Sequence, residues 1–172
     1  GGGPRLVASG RAGRRRGRSL PRVDGGDTHR VLRYISDGTG TTSLANLVVQ
    51  NGASDSSGGG GLYISAGSPV ISNCLFTGNR SSGDGGGARS SNASPTFNDC
   101  IFEANNASWG GGMTSTVDCN PKITDCLFLA NTVFNVGGGM FTRSRSNPII
   151  TNCMFIANLQ TGNPIGSGAG MC

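Results

Sequence analysis

A motif that returns every 25–27 residues constrains this chain more than any other feature. Four segments share one frame: Pro69 through Phe76, Pro95 through Phe102, Pro121 through Phe128 and Pro148 through Phe155. Each carries a cysteine two residues before the phenylalanine and an asparagine three residues after it. The cysteines are Cys74, Cys100, Cys126 and Cys153, and the asparagines are Asn79, Asn105, Asn131 and Asn158. Glycine blocks keep the same phase at Gly59–Gly61, Gly85–Gly87, Gly110–Gly112 and Gly137–Gly139, with a weaker one at Gly168-Ala169-Gly170. An older copy lies upstream, where Leu47 takes the cysteine position and Val49 the phenylalanine position.

Repeats of this length are built from helices or from strands, and here the helical options fail. No stretch carries an i, i+3, i+4 apolar pattern, and each unit is interrupted by a proline and a glycine block. Leucine-rich repeats fail too, because no L-x-x-L-x-L pattern occurs. Short strands joined by bends remain. The predicted fold is all-β, a right-handed single-stranded parallel β-helix (β-solenoid) of about five coils of 25–27 residues, rising ~4.8 Å per coil. Residues one period apart then stack into columns. Ile71, Cys74 and Phe76 point inward, with a bend at Asn73 resetting the alternation. Phe76, Phe102, Phe128 and Phe155 form an aromatic ladder. The four asparagines form an amide ladder at a turn, where left-handed backbone is tolerated. The glycine blocks supply bends where a Cβ would clash.

Composition agrees with a solenoid. Glycine supplies 31 of 172 residues, and charged residues are only 13%. The net charge of +5 is concentrated at one end: residues 1–35 hold nine arginines and a net +7, and the rest carries −2. Residues 1–22 therefore read as a basic, solvated and disordered leader, and residues 23–172 as the repeat domain, part of a longer solenoid. The leader has neither interleaved aromatics nor a recognition-module signature, so nucleic-acid binding is not expected of it. No apolar run is long enough for a transmembrane helix, and no apolar stretch follows the arginines as in a signal peptide.

The paired motifs Gly-Gly-Gly-Met and Phe-x-x-Asn, as in Gly110–Met113 and Phe128–Asn131, resemble the repeats of polymorphic outer membrane proteins. They also resemble right-handed β-helix repeat proteins of bacteria more broadly. The resemblance covers about residues 23–172. It implies an extracellular, cell-surface or outer-membrane location and a role among adhesins, autotransporter passengers and polysaccharide lyases, hydrolases or epimerases.

The in-register cysteines do not suit one metal, since three coil rises span about 14 Å. Stacked neighbours leave Cβ atoms ~4.8 Å apart, beyond disulfide geometry, so buried free thiols are expected. Cys119 and Cys172, outside the column, are open to pairing or reaction. The column before the cysteines reads Asn46, Asn73, Asp99, Asp125, Asn152. Asp99 and Asp125 on adjacent coils are the candidates for a catalytic carboxylate pair or a calcium site. The competing reading is that Asn and Asp share a bend because both cap backbone groups there. His29 is the sole histidine, which gives a Ser-His-Asp arrangement no support. Alternation turns Val48, Leu75, Ile101, Leu127 and Met154 outward, and such an apolar stripe calls for a covering partner unless the phase slips at the bend.

The leading expectation is a non-catalytic repeat domain for adhesion, polysaccharide binding or scaffolding. The competing one is a pectate-lyase-like lyase, hydrolase or epimerase. Lys122, Arg143 and Arg145, beside Asp118 and Asp125, are the exposed charges on the late coils that would serve it.

Overall fold

A computed structural model describes residues 5–8, 11–13, 20–36, 42–162 and 168–172, with side chains placed from residue 20 onward. Each repeat makes one coil with four sides, so the molecule is a β-solenoid of about five turns carrying four sheets. Along a coil the chain visits sheet I (Val70–Ser72), sheet II (Leu75–Thr77), sheet III (Arg80–Ser81) and sheet IV (Ala88–Ser91). The next coil repeats the order with Thr96–Asn98, Ile101–Glu103, Asn106–Trp109 and Met113–Thr116. Pairings between successive coils are parallel and nearly all join residues 25–27 apart, as in Leu75↔Ile101, Phe76↔Phe102 and Thr77↔Glu103; Leu32↔Leu62, at 30, spans a longer first turn. The strands run from two to five residues, and sheet III holds the two-residue ones.

Stacking turns sequence period into a core of columns. On sheet II, Val49, Phe76, Phe102 and Phe128 are fully buried. The rings of Phe76, Phe102, Phe128 and Phe155 lie 4.9, 4.8 and 4.6 Å apart and within 7° of parallel. Phe97 on sheet I meets Phe76 and Phe102 edge-on, at 6.3 and 5.6 Å. Offset stacks and edge contacts both suit the ring quadrupole, which adds to the area effect. Sheet I contributes Leu44, Ile71, Phe97 and Ile123, and sheet IV contributes Leu32, Leu62, Ala88, Met113 and Met140. Ile123→Val should cost about 1 kcal/mol in chemical unfolding, because one methylene leaves a fully buried site.

The asparagine ladder is the polar counterpart of the phenylalanine stack. Asn79 donates from both its backbone N–H and its Nδ2 to Asn105 Oδ1, each at 3.0 Å, and its other Nδ2–H reaches Val49 O. Asn105 repeats this with Asn131 Oδ1 and Phe76 O, and Asn131 with Asn158 Oδ1 and Phe102 O. Asn79, Asn105 and Asn131 have no exposed surface. The left-handed residue expected at these asparagines falls one position earlier, on Gly78, Ala104, Ala130 and Ala157. The reason is directional: the asparagine side chain must enter the core, so the residue before it makes the turn. At the corner between sheets I and II, the left-handed positions are Asn46, Asn73, Asp99, Asp125 and Asn152, with φ of 49–58°.

Two stretches of the arginine-rich segment depart from the solvated leader expected there; its residues 1–4, 9–10 and 14–19 lie outside the described residues. Arg11–Gly13 pairs antiparallel with Arg22–Asp24, and Arg5–Ala8 with Leu32–Ile35. Both lie on the first strands of sheets II and IV, whose backbone edges would otherwise face solvent. Near this end Asp24 accepts hydrogen bonds from Gln50 Nε2 (2.7 Å), Gly26 N (2.9 Å) and Asn51 Nδ2. The bonds from Gln50 and Gly26 hold its carboxyl below the usual 3.8. A lowered folded-state value contributes stability above 3.8 that is lost as pH falls through the folded value. The protection of the Gly26 amide, measured against its intrinsic exchange rate at each pH, should therefore fall on acidification below that point, and Asp24→Asn should remove the dependence.

Candidate functional site

Inward columns leave the outward faces to carry function, and sheet III carries two surface hollows. Its outward column reads Ala53, Arg80, Asn106, Thr132 and Leu159. Two adjoining hollows follow this column. One of about 340 Å³ is lined by Thr28, His29, Arg30, Ala53, Ser54, Asp55 and Ser57. The other, about 320 Å³, is lined by Ala53, Ser54, Arg80, Ser81, Ser82 and Asn106. Ala53 and Ser54 belong to both, so the two form one groove along the rod.

The groove mixes polar groups with apolar surface. Arg80 is exposed and tethered by one Nη2 bond to Asp27 O, and Asn106 Nδ2 donates to Thr132 Oγ1 at 2.8 Å. Thr28 Oγ1 and His29 Nδ1 share a hydrogen bond of 2.7 Å. Bonds from Ser57 hold the Asp55 carboxyl below its usual range, so it stays ionised at neutral pH. Serine and threonine hydroxyls, the Asn106 amide, the Arg30 and Arg80 guanidiniums, the Asp55 carboxylate and the His29 imidazole supply donors and acceptors along it, interspersed with comparable apolar surface.

Beyond the groove's rim, sheet IV presents a cluster with one aromatic at its centre. The guanidinium carbons of Arg30, Arg89 and Arg33 lie 5.0, 5.5 and 5.7 Å from the Tyr63 ring centroid. The register explains it, since Arg33, Tyr63 and Arg89 are outward neighbours on successive coils. Arg30 is bound into the loop through Gly59 O, Gly58 O and Ser57 Oγ. Nearly buried Asp84 pairs with Arg143 at 2.8 Å and Arg89 at 3.6 Å. The cluster clamps the 57–59 loop that walls the groove.

The other residues singled out in the sequence lie elsewhere. Asp99 and Asp125 sit on neighbouring coils at the exposed corner between sheets I and II, outside the groove. Asn152 Nδ2 bonds Asp125 Oδ1, and Asn73 Nδ2 bonds Asn46 Oδ1 in the same column. Arg145 grips Asp118 through both carboxylate oxygens at 2.8 and 2.9 Å, and Lys122 is exposed on sheet I. All six cysteines are free; Cys74, Cys100, Cys126 and Cys119 are buried, and Cys172 is exposed. The neighbouring thiols of Cys126 and Cys74, together with burial, push the Cys100 thiol up. Burial does the same to Cys119. Val48, Leu75, Ile101, Leu127 and Met154 pair in one register on sheet II, opposite in phase to the buried phenylalanines. Val48 is buried, contrary to the outward position expected of it, Leu75 and Leu127 are half-buried, and Ile101 and Met154 are 39% and 59% exposed.

Residues 28–30 and 53–57, the groove's first wall, escape sequence reasoning because they lie in the degenerate first coils, where the repeat frame is weakest. His29 and Asp55 are 26 positions apart, one period, which is the signal that would have placed them together.

Four-sided parallel coils, stacked side-chain ladders and a glycine turn in each coil define a β-helix protein. The sequence model of the right-handed β-helix region matches residues 34–171, and the chain belongs to that family. No curated protein and no solved structure matches the chain.

Proposed function

We propose that this chain is a non-catalytic β-helix domain that binds polysaccharide along the sheet III groove, outside the cell or on a bacterial surface. The observation carrying this reading is the pair of adjoining hollows along the rod, lined by Arg80, Asn106, His29 and several serines. An extended, hydroxyl-rich ligand, with polar hydroxyls and apolar ring faces, matches a groove of mixed polarity, in which many modest hydrogen bonds add along the chain. The likeness of the Gly-Gly-Gly-Met and Phe-x-x-Asn motifs to polymorphic outer membrane protein repeats supports the surface location. Arg80→Ala should weaken glycan binding at least tenfold in titration calorimetry, since a charge-assisted bond contributes about 1.5–3 kcal/mol. A glycan screen with no ligand, or Arg80→Ala binding like the parent, would remove the groove from the account.

One observation favours the enzymatic alternative: His29, Arg30 and Asp55 share the larger hollow. A lyase, hydrolase or epimerase would act there or at the Asp99/Asp125 corner. Incubation with a panel of polyuronates, with and without calcium, separates the readings. Binding without unsaturated or shortened products supports a binding domain, and their appearance supports an enzyme.

A further inference from the structure

The clamp on the 57–59 loop accounts for two of the three arginines around Tyr63. Arg30 bonds Gly59 O, Gly58 O and Ser57 Oγ, and Arg89 Nη1 bonds Ser57 O. Arg33 takes no part in it. Its guanidinium carbon lies 5.7 Å from the Tyr63 ring centroid and, among the described residues, the side chain makes no hydrogen bond or ion pair. Strand alternation turns Arg33 outward beside Tyr63 of the next coil, where it stands exposed.

Charge around the ring is unbalanced. Among the described residues, the carboxylates that act on these arginines are Asp84 and Asp55. Asp84 is closer to Arg143, at 2.8 Å, than to Arg89, at 3.6 Å, so most of its charge is met from the far side. Asp55 lines the first hollow together with Arg30. Burial first, and then the charge of Arg33, push the Arg30 guanidinium below its usual range; Arg89 adds to the effect, and Asp55 and Tyr63 oppose it. Like charges gathered around one ring repel, and an aromatic face is a weaker partner for a guanidinium than an anion is.

We propose that the Tyr63 cluster is a subsite for a sulfate half-ester on the polysaccharide of the groove, a role that rests on the groove being a polysaccharide site. Arg30 joins the two, since it lines the first hollow and also faces Tyr63. The chemistry of the donors selects the anion. A carboxylate has two oxygens, which one guanidinium fork takes up. A sulfate half-ester presents three oxygens about a tetrahedral centre, which suits several guanidiniums around one point. It also stays ionised at every pH at which the protein folds, and the weakly hydrated guanidinium gives up little solvation to meet it. Arg33 supplies the uncommitted donors, and Arg89, on the coil at the other side of Tyr63, adds attraction at longer range.

The test compares binding of chondroitin sulfate and chondroitin to the full chain by titration calorimetry. The two polymers share a uronate-bearing backbone and differ in the sulfate. Chondroitin sulfate should bind at least about tenfold more tightly, and Arg33→Gln should abolish that preference while leaving chondroitin binding unchanged. Lys122→Gln removes one exposed positive charge from sheet I and should keep the preference. Binding of neither polymer, equal affinity for both, a preference that survives Arg33→Gln, or one lost equally in Lys122→Gln overturns the sulfate subsite. Inorganic sulfate probes the cluster without the groove. At constant ionic strength it should shift the Arg33 Nε–H resonance in heteronuclear NMR; no shift, or a larger one with inorganic phosphate, overturns the assignment. Failure of the groove leaves a different pattern: Arg80→Ala then binds both polymers like the parent, while Arg33 still confers the sulfate preference.

Discussion

Asn105→Leu should destabilise the protein by about 3–6 kcal/mol and broaden its unfolding transition. The substitution keeps the approximate size of the side chain and removes the amide. Asn79 N–H and Asn79 Nδ2 then lose their shared acceptor, while Phe76 O and Asn131 Oδ1 each lose a donor. All lie where water does not reach, since Asn79, Phe76 and Asn131 have no exposed surface. Each stranded buried group costs about 1–3 kcal/mol, so even two or three approach the whole stability of a typical domain, about 5–15 kcal/mol. The lesion sits between coils, and in a solenoid the coupling between neighbours is what makes unfolding cooperative. Denaturant titration should therefore show a lower midpoint and a shallower slope. Asn106→Ala is the control: that side chain is exposed and bonds only Thr132 Oγ1, so folding stability should change by no more than about 0.5 kcal/mol.

Gly111→Ala should be nearly as damaging, although it adds one carbon. A Cβ at this position would lie 2.4 Å from Thr132 O and 2.6 Å from Gly138 O, both backbone atoms of the next coil. No rotamer relieves such a contact. The coils must separate locally, which breaks the pairing of Gly111 N with Gly137 O and of Gly112 N with Gly138 O. Overpacking of a close-packed interior typically costs about 1–3 kcal/mol, and the lost backbone bonds add to it. A loss of about 3–5 kcal/mol in thermal or chemical unfolding is expected. Gly26→Ala separates clash from conformation. Gly26 has φ of +60° but nothing within 4 Å of a built Cβ, so only the left-handed strain of about 1–2 kcal/mol applies.

These two positions show what was legible in the sequence. Period and phase placed Phe76, Phe102, Phe128 and Phe155 in one column and Asn79, Asn105, Asn131 and Asn158 in another, because every coil obeys the same frame. The four-sided cross-section was not legible. Ala53–Ser54 and Arg80–Ser81 are two-residue strands, too short for any alternation to register. The left-handed turn before each ladder asparagine was misplaced by one residue, since Ala104 and Ala130 carry no local sign of that backbone. Their conformation is imposed by the amide bonds that follow. The groove was hidden for a different reason. Its walls join Thr28–Arg30 to Ser54–Ser57 across one period in the most degenerate part of the repeat, where no column of like residues marks the frame. The antiparallel strands at Arg5–Ala8 and Arg11–Gly13 were concealed by composition, because an arginine-rich stretch reads as solvated whether or not its backbone pairs.

Ring-to-ring nuclear Overhauser contacts among the ladder phenylalanines probe the stacked-coil geometry most directly. Cross-peaks are expected between Phe76 and Phe102, Phe102 and Phe128, and Phe128 and Phe155, whose centroids lie 4.6–4.9 Å apart. None is expected between Phe76 and Phe128, two coils apart. Absence of the Phe76–Phe102 contact in folded protein would contradict the one-period register on which the ladders and the groove both depend.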